Sequence, residues 1–256
     1  MRTDTAAARG SAAVRRALEA ELAQARARGV ERPRVVDVGG GSGVWAVPFA
    51  SAGCLVTVVE PNPNALATLQ RRAEEVQVAD RISVVADDSD ALGAHVPAGS
   101  ADLVLAHGLL EVVDDPVATM RALAEAVAPG GAVSVLVANR HAAVLHRALA
   151  GRLAEARQLL AEPLGVLSED GETVLRRLDT PGLESLLAGA GLELILLQGD
   201  GVMPDAVQGV ALDDQDAADA VASWEGELAE FEAAAADTPP LRDIASRLHA
   251  LARRPR

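Results

Sequence analysis

The sequence predicts an α/β fold: a doubly wound, mostly parallel sheet with an N-terminal helix and a helical insertion after strand five. Three observations carry this expectation. Short β-branched apolar runs alternate with amphipathic helical stretches between 34 and 139, as parallel strands do when helices cover both sheet faces. The first run ends in Gly39-Gly40-Gly41-Ser42-Gly43 and enters a helix. The second ends in an acid, Glu60, where a doubly wound sheet places it beside the first turn.

The elements follow in order. Ser11 to Arg28 is rich in Ala, Leu, Glu, Gln and Arg, with Val14, Leu18 and Leu22 on one stripe, and Gly29 stops it. Arg34 to Val38 is strand one, Val44 to Ala52 a helix, Leu55 to Glu60 strand two, and Asn64 to Val76 a helix. Ile82 to Ala86 is strand three, Leu103 to Ala106 strand four, and Pro116 to Ala128 a helix. Pro129-Gly130-Gly131 then turns into strand five, Ala132 to Val137. Regularity breaks after Asn139. The stretch 140–180 reads as a helical insertion with an acidic turn at Ser168-Glu169-Asp170-Gly171. A short helix from Thr180 to Gly189, a strand from Leu192 to Leu197 and an acidic helix follow. One domain over 1–256 is expected, with 11–29 as N-terminal helix, 34–139 as core and 181–256 as C-terminal strands and acidic helix.

Composition removes several function classes. The chain has 256 residues, 23 basic against 37 acidic, for a net charge of −14. All the basic residues are Arg, so a Walker-type phosphate loop and Schiff-base chemistry are excluded for want of Lys. One cysteine, Cys54, builds neither a thiolate cluster nor a disulfide framework. The acidic balance argues against general DNA binding. No apolar run approaches a membrane span, and no signal peptide is readable, so a cytoplasmic location is expected. His141 and His146 stand five apart with no Cys or third His nearby, so no metal is expected.

The glycine turn carries the chemistry. Without Cβ atoms a ligand can approach the backbone closely, and the following helix aims its N–H groups at it. A carboxylate at the end of strand two can accept from both hydroxyls of a ribose. Together they indicate an adenosine-containing cofactor. Gly41-Ser42-Gly43-Val44-Trp45-Ala46 fits the dinucleotide pattern G-x-G-x-x-G/A, whereas the same segment from Asp37 reads D-x-G-x-G-x-G.

That second register resembles the class I S-adenosylmethionine-dependent methyltransferases. Asp87-Asp88-Ser89 after strand three, Asp102 to His107 on strand four and Ala128-Pro129-Gly130-Gly131 before strand five are similar to that family's later motifs, in order. Within the family, the stretch from Ala106 to Pro116, and Asn139-Arg140-His141 through Gly151, resemble the bacterial tRNA 5-carboxymethoxyuridine methyltransferase branch. The resemblance implies a Rossmann-like fold and S-adenosyl-L-methionine as cofactor. It assigns Gly39, Gly41 and Gly43, with Asp37 before them, to the methionyl side and Glu60 to the ribose. Asp88 and Ser89 flank the adenine, His107 lies beside the cofactor, and Arg15 (or Arg16) neutralises the carboxylate. His107, His141 and Glu111 are the candidate bases for an alcohol or amine acceptor; a carboxylate acceptor needs none.

The acceptor is the open term. The branch keeps Lys, Tyr and aromatic residues in two loops that here are Glu162 to Glu172 and Val202 to Val207, where basic and aromatic side chains are absent. Stacking platforms of that kind supply much of single-stranded RNA recognition. Arg140, Arg147, Arg152, Arg157, Arg176 and Arg177 either form a phosphate-facing patch or pair with neighbouring acids. Charge favours a small metabolite with a carboxylate or hydroxyl, the resemblance favours tRNA, and a non-catalytic cofactor-binding module is the rival class.

Overall fold

The computed structural model describes residues 12–167, 176–202 and 217–256, with backbone alone over 217–225. The expected acidic turn at Ser168 to Gly171, most of the Val202 to Val207 loop, and Asp213, Asp214 and Asp216 lie outside the described residues.

One seven-stranded sheet forms the centre, in the order β3-β2-β1-β4-β5-β7-β6. Its strands are β1 (Arg34–Val38), β2 (Leu55–Val59), β3 (Ile82–Val85), β4 (Ala101–His107), β5 (Val127–Ala138), β6 (Glu193–Asp200) and β7 (Arg247–Arg253). The first five run parallel, and β7 inserts antiparallel between β5 and β6. The order reverses between β1 and β4, so the connections leaving their carboxyl ends go to opposite faces and leave a crevice there.

Helices α1 (Ala12–Ala27), α2 (Ala46–Ser51) and α3 (Pro63–Glu75) cover one face. Val14, Leu18, Leu22, Phe49 and Leu69 pack there on Val35, Leu103, Leu105, Leu136 and Leu251. Helices α4 (Leu92–His95), α5 (Pro116–Ala126) and α8 (Thr180–Gly189) cover the other, over Val36, Val38, Val104, Val133 and Leu248. Odd and even positions of one strand thus enter opposite layers, as the two-residue period of a strand requires. The α1 stripe buries Val14 and Leu18 completely, each worth roughly 1.5–3 kcal/mol. Glu21, 2% exposed on the same helix, pairs with Arg253 of β7 at 2.7 Å and with Arg28 at 3.5 Å.

The insertion forms α6 (Arg140–Leu149) and α7 (Leu153–Ala161). The acidic stretch supplies α9 (Ala217–Ala236). Several boundaries differ from expectation. Helix α2 begins at Ala46, because the glycine turn continues through Val44 and Trp45. Pro129-Gly130-Gly131 lies within β5 as a bulge, where the register steps from Ala101↔Val127 to Leu103↔Ala132. The bulge is held by the end of β7: Gly130 N donates to Arg254 O and Arg254 N to Gly131 O. A Cβ on Gly131 would stand 2.8 Å from Asp102 O, so the backbones meet there only without a side chain. Strand β6 runs past Leu197 to Asp200, whose carboxylate pairs with Arg247 of β7.

Candidate cofactor and acceptor site

The glycine turn closes over the carboxyl ends of β1 and β2. Gly39 N donates to Val59 O at 2.8 Å, and Gly39, Gly41 and Gly43 all have positive φ, at 73°, 54° and 76°. At Gly43 a Cβ would lie 2.0 Å from Leu69 Cδ1, so close packing and the left-handed backbone both exclude a side chain. Glu60 binds the turn directly: its Oε2 accepts from Gly41 N at 3.0 Å and its Oε1 from Asn62 N at 2.9 Å. Asn62 in turn caps α3, its side chain accepting from Asn64 N and Ala65 N. Arg72 of α3 reaches back to Ser42, donating to its carbonyl at 3.0 Å and its hydroxyl at 2.9 Å.

Beside the turn opens a cleft of about 430 Å³. Gly39, Glu60, Asp88, Ser89, Gly108 and Leu109 are among its walls. Ser89 is buried and donates to Asp88 Oδ1. The far wall, Leu109 to Asp114, is pinned by Arg176, which donates to the carbonyls of Leu110, Val113 and Asp114. Asp37 sits under the turn at 2% exposure, with Oδ2 enclosed and unpartnered. Burial and the neighbouring Glu60 charge push its carboxyl up to about 7. Backbone glycines, two carboxylates beyond strand ends and an apolar wall suit an adenosine moiety with a charged tail.

Comparison with known proteins agrees with this geometry. The family described as a methyltransferase domain matches residues 11–197. The chain belongs to the methyltransferase family. It is 29% identical over 123 residues to the tRNA 5-carboxymethoxyuridine methyltransferase of Escherichia coli K12, covering 48% of this chain and 47% of the relative. It is 37% identical over 120 residues to a ubiquinone biosynthesis O-methyltransferase of Xanthomonas campestris, covering 46% and 48%. The matched stretch is thus about half the length of these curated relatives. A solved S-adenosylmethionine-dependent methyltransferase from Mesorhizobium loti superposes with a TM-score of 0.61 at 20% identity, over 95% of this chain and 98% of that one. The doubly wound, Rossmann-like class I fold is therefore this methyltransferase's fold, and S-adenosylmethionine is the family's cofactor.

The structure brings Gly39, Glu60, Asp88 and Ser89 together around the cleft, with Gly41, Gly43 and Asp37 in the turn behind it. Arg15 stands elsewhere: it is exposed and lines a groove of about 290 Å³ between α1 and α2, with Val44, Trp45 and Phe49. Arg16 is exposed on the same helix. Glu111 is 6% exposed and occupied structurally, its Oε1 accepting from Ala138 N at 2.7 Å while burial raises its carboxyl. His141 lies on α6 with Nε2 3.9 Å from Asp179 Oδ2, and neither it nor Glu111 lines the cleft. His107 ends β4 one residue before Gly108 of the cleft wall, its ring 5.3 Å from Trp45 in an edge contact. Burial first, then the neighbouring His249 and Arg247, hold it well below the ordinary histidine range.

Sequence reasoning missed Arg72, the hold of Arg176 on the cleft-wall carbonyls, and a group of buried polar residues beyond His107. Ser134, Gln198 and His249 are at most 5% exposed inside the sheet. A signal existed for two of them: Ser134 interrupts the apolar run of β5, and His249 the apolar interior of β7. Among the described residues no group of three His, Cys, Asp or Glu is placed to hold a metal. None of their helices is long and apolar enough to cross a membrane.

Proposed function

We propose that this methyltransferase transfers a methyl group from S-adenosylmethionine to an oxygen of a small metabolite, a carboxylate or a hydroxyl. The carrying observation is the cleft: a glycine turn clamped by Glu60 on one side and Asp88 with Ser89 on the other, at the reversal point of the sheet. When bound, the cofactor supplies a sulfonium methyl, already electrophilic. What the chain contributes is alignment and exclusion of water. Glu60 is ready to exchange its Gly41 contact for ribose hydroxyls. In this reading Asp88 accepts from an adenine amino group, and Leu109, Val112 and Val113, which line the same cleft, form its apolar wall.

A small acceptor fits the electrostatics. The cleft wall carries Glu60, Asp88, Asp90 and Asp114, which disfavour the many charges of a polyphosphate far more than a neutral or singly charged small acceptor. The arginines of the insertion are engaged internally. Arg140 pairs with Asp179 and donates to Leu159, Leu160 and Glu162 carbonyls, and Arg147 and Arg152 pair with Glu155. Arg176 is committed to the wall, and Arg177 is buried, donating to Gly165 O. Arg157 alone of the six is exposed with no such partner among the described residues. The similarity to the Escherichia coli tRNA enzyme supports a second reading, methylation of a wobble-uridine carboxyl. Incubation with methyl-labelled cofactor and either total tRNA or a small-metabolite extract separates them. Label in the metabolite fraction supports the proposal, label in tRNA supports the second reading, and label in neither leaves only a cofactor-binding module.

A further inference from the structure

A chain of hydrogen bonds runs across four strands from His107, which precedes the cleft-wall residue Gly108 and does not itself line the cleft. His107 Nε2 lies 2.8 Å from Ser134 Oγ, Ser134 Oγ lies 2.9 Å from His249 Nε2, and His249 Nδ1 lies 2.9 Å from Gln198 Nε2. The strand register makes this possible: His107, Leu136, His249 and Gln198 occupy one row across β4, β5, β7 and β6. Ser134, two residues before Leu136, points to the same face. The chain ends at His107 Nδ1, which is enclosed and has no protein partner.

The chemistry of the chain gives it a direction. The Gln198 amide nitrogen only donates, so His249 Nδ1 accepts. Burial pushes His249 down to about 4, so its ring is neutral near pH 7 and carries its single proton on Nε2. That proton goes to Ser134 Oγ, leaving the Ser134 hydroxyl to donate to His107 Nε2. A neutral His107 then holds its proton on Nδ1. Its basic lone pair is consumed inside the sheet, and the atom left over is a donor.

We propose that Ser134, His249 and Gln198 are positioning residues that lock His107 in its Nδ1–H tautomer, making it a fixed hydrogen-bond donor to an oxygen of the bound substrates and not a base. The inference deepens the methyltransferase reading and rests on it for the identity of the substrates. An acceptor served by a donor brings its oxygen already deprotonated, which selects a carboxylate over an alcohol or an ammonium. The cofactor's own carboxylate is the other oxygen of the same chemistry, and the experiment separates the two.

Nitrogen-15 NMR of the histidine side chains in the full chain reads the tautomer directly, before any assay of activity. The lock predicts a protonated Nδ1 and a bare Nε2 for His107 in the wild type, and a tautomer mixture in Ser134→Ala. A protonated Nε2 in the wild type, or the same pure tautomer in Ser134→Ala, overturns the proposal while leaving the methyltransferase reading intact. Function is tested with His107→Leu, which removes the donor, and His107→Asn, whose amide nitrogen restores one near Nδ1; both are checked for folding by thermal melting. Loss of roughly tenfold in S-adenosylmethionine affinity in the Leu variant, recovered by Asn, assigns the oxygen to the cofactor. A similar loss in labelled-methyl transfer into the acidic metabolite fraction at saturating cofactor, with affinity unchanged, assigns it to the acceptor. Leu and Asn variants that fall equally overturn the donor role. A wild type that does not bind S-adenosylmethionine at all overturns the methyltransferase reading instead.

Discussion

Replacing Asp37 by Asn isolates the electrostatic cost stored beneath the glycine turn. The folded carboxyl titrates at about 7 against an ordinary value of 3.8, because it is buried and faces Glu60. Between those two values the unfolded chain has released its proton and the folded chain has not, so stability falls as pH rises through this window. Three units at about 1.4 kcal/mol each put the full cost near 4 kcal/mol above pH 7. Asn keeps the shape and lacks the charge. Urea unfolding of wild type and Asp37→Asn at about pH 5 and about pH 8.5 compares the two ends, where linkage predicts that the variant gains about 3 kcal/mol on the wild type. His249 titrates at about 4 when folded, below its ordinary 6.5, so its contribution has the opposite sign and is lost as pH falls. It is common to both proteins and cancels in the difference. A difference that stays constant with pH refutes the reasoning, because it means Asp37 is ionised in the folded protein throughout.

Other consequences follow from the same site. Gly43→Ala meets a left-handed backbone and Leu69, and the cost of about 2–4 kcal/mol lowers the thermal midpoint by several degrees; an unchanged midpoint contradicts the packing described. Arg72→Met removes both hydrogen bonds to Ser42 and weakens S-adenosylmethionine binding about threefold to tenfold in a calorimetric titration, whereas unaltered affinity shows that the turn holds its shape alone. Arg253→Met leaves Glu21, 2% exposed, with only its longer 3.5 Å contact to Arg28 and costs about 2–4 kcal/mol in denaturant unfolding, most of which a second change, Glu21→Gln, restores.

What the sequence made legible was whatever local pattern decides. The five parallel strands are apolar runs because helices bury both of their faces, and the glycine turn is written in residues that only a left-handed backbone needs. Strand β7 was covered only by the general expectation of C-terminal strands, and its position was not legible. Its sequence Arg247-Leu248-His249-Ala250-Leu251-Ala252-Arg253 has little β-branched character, and it becomes a strand by antiparallel pairing with β5 and β6, far from it in sequence. Glu60, Asp88 and Ser89 line one cleft because the ends of neighbouring strands follow from strand order. The relay from His107 was hidden for the opposite reason, since its four members come from four strands and meet only once β7 inserts. The insertion arginines show the same limit. Their number was plain in the sequence, but their engagement with Glu155, Asp179 and backbone carbonyls is a product of how α6 and α7 pack.

We propose that the cleft between the glycine turn and the β4–α5 wall holds S-adenosylmethionine with Glu60 on its ribose. Isothermal titration of S-adenosylmethionine into the wild type and Glu60→Ala tests it most directly. Saturable binding to the wild type, weakened by about tenfold to a hundredfold in Glu60→Ala while the variant remains folded, is the predicted result. No heat of binding to the wild type at high micromolar cofactor, or equal affinity in the two proteins, would contradict it.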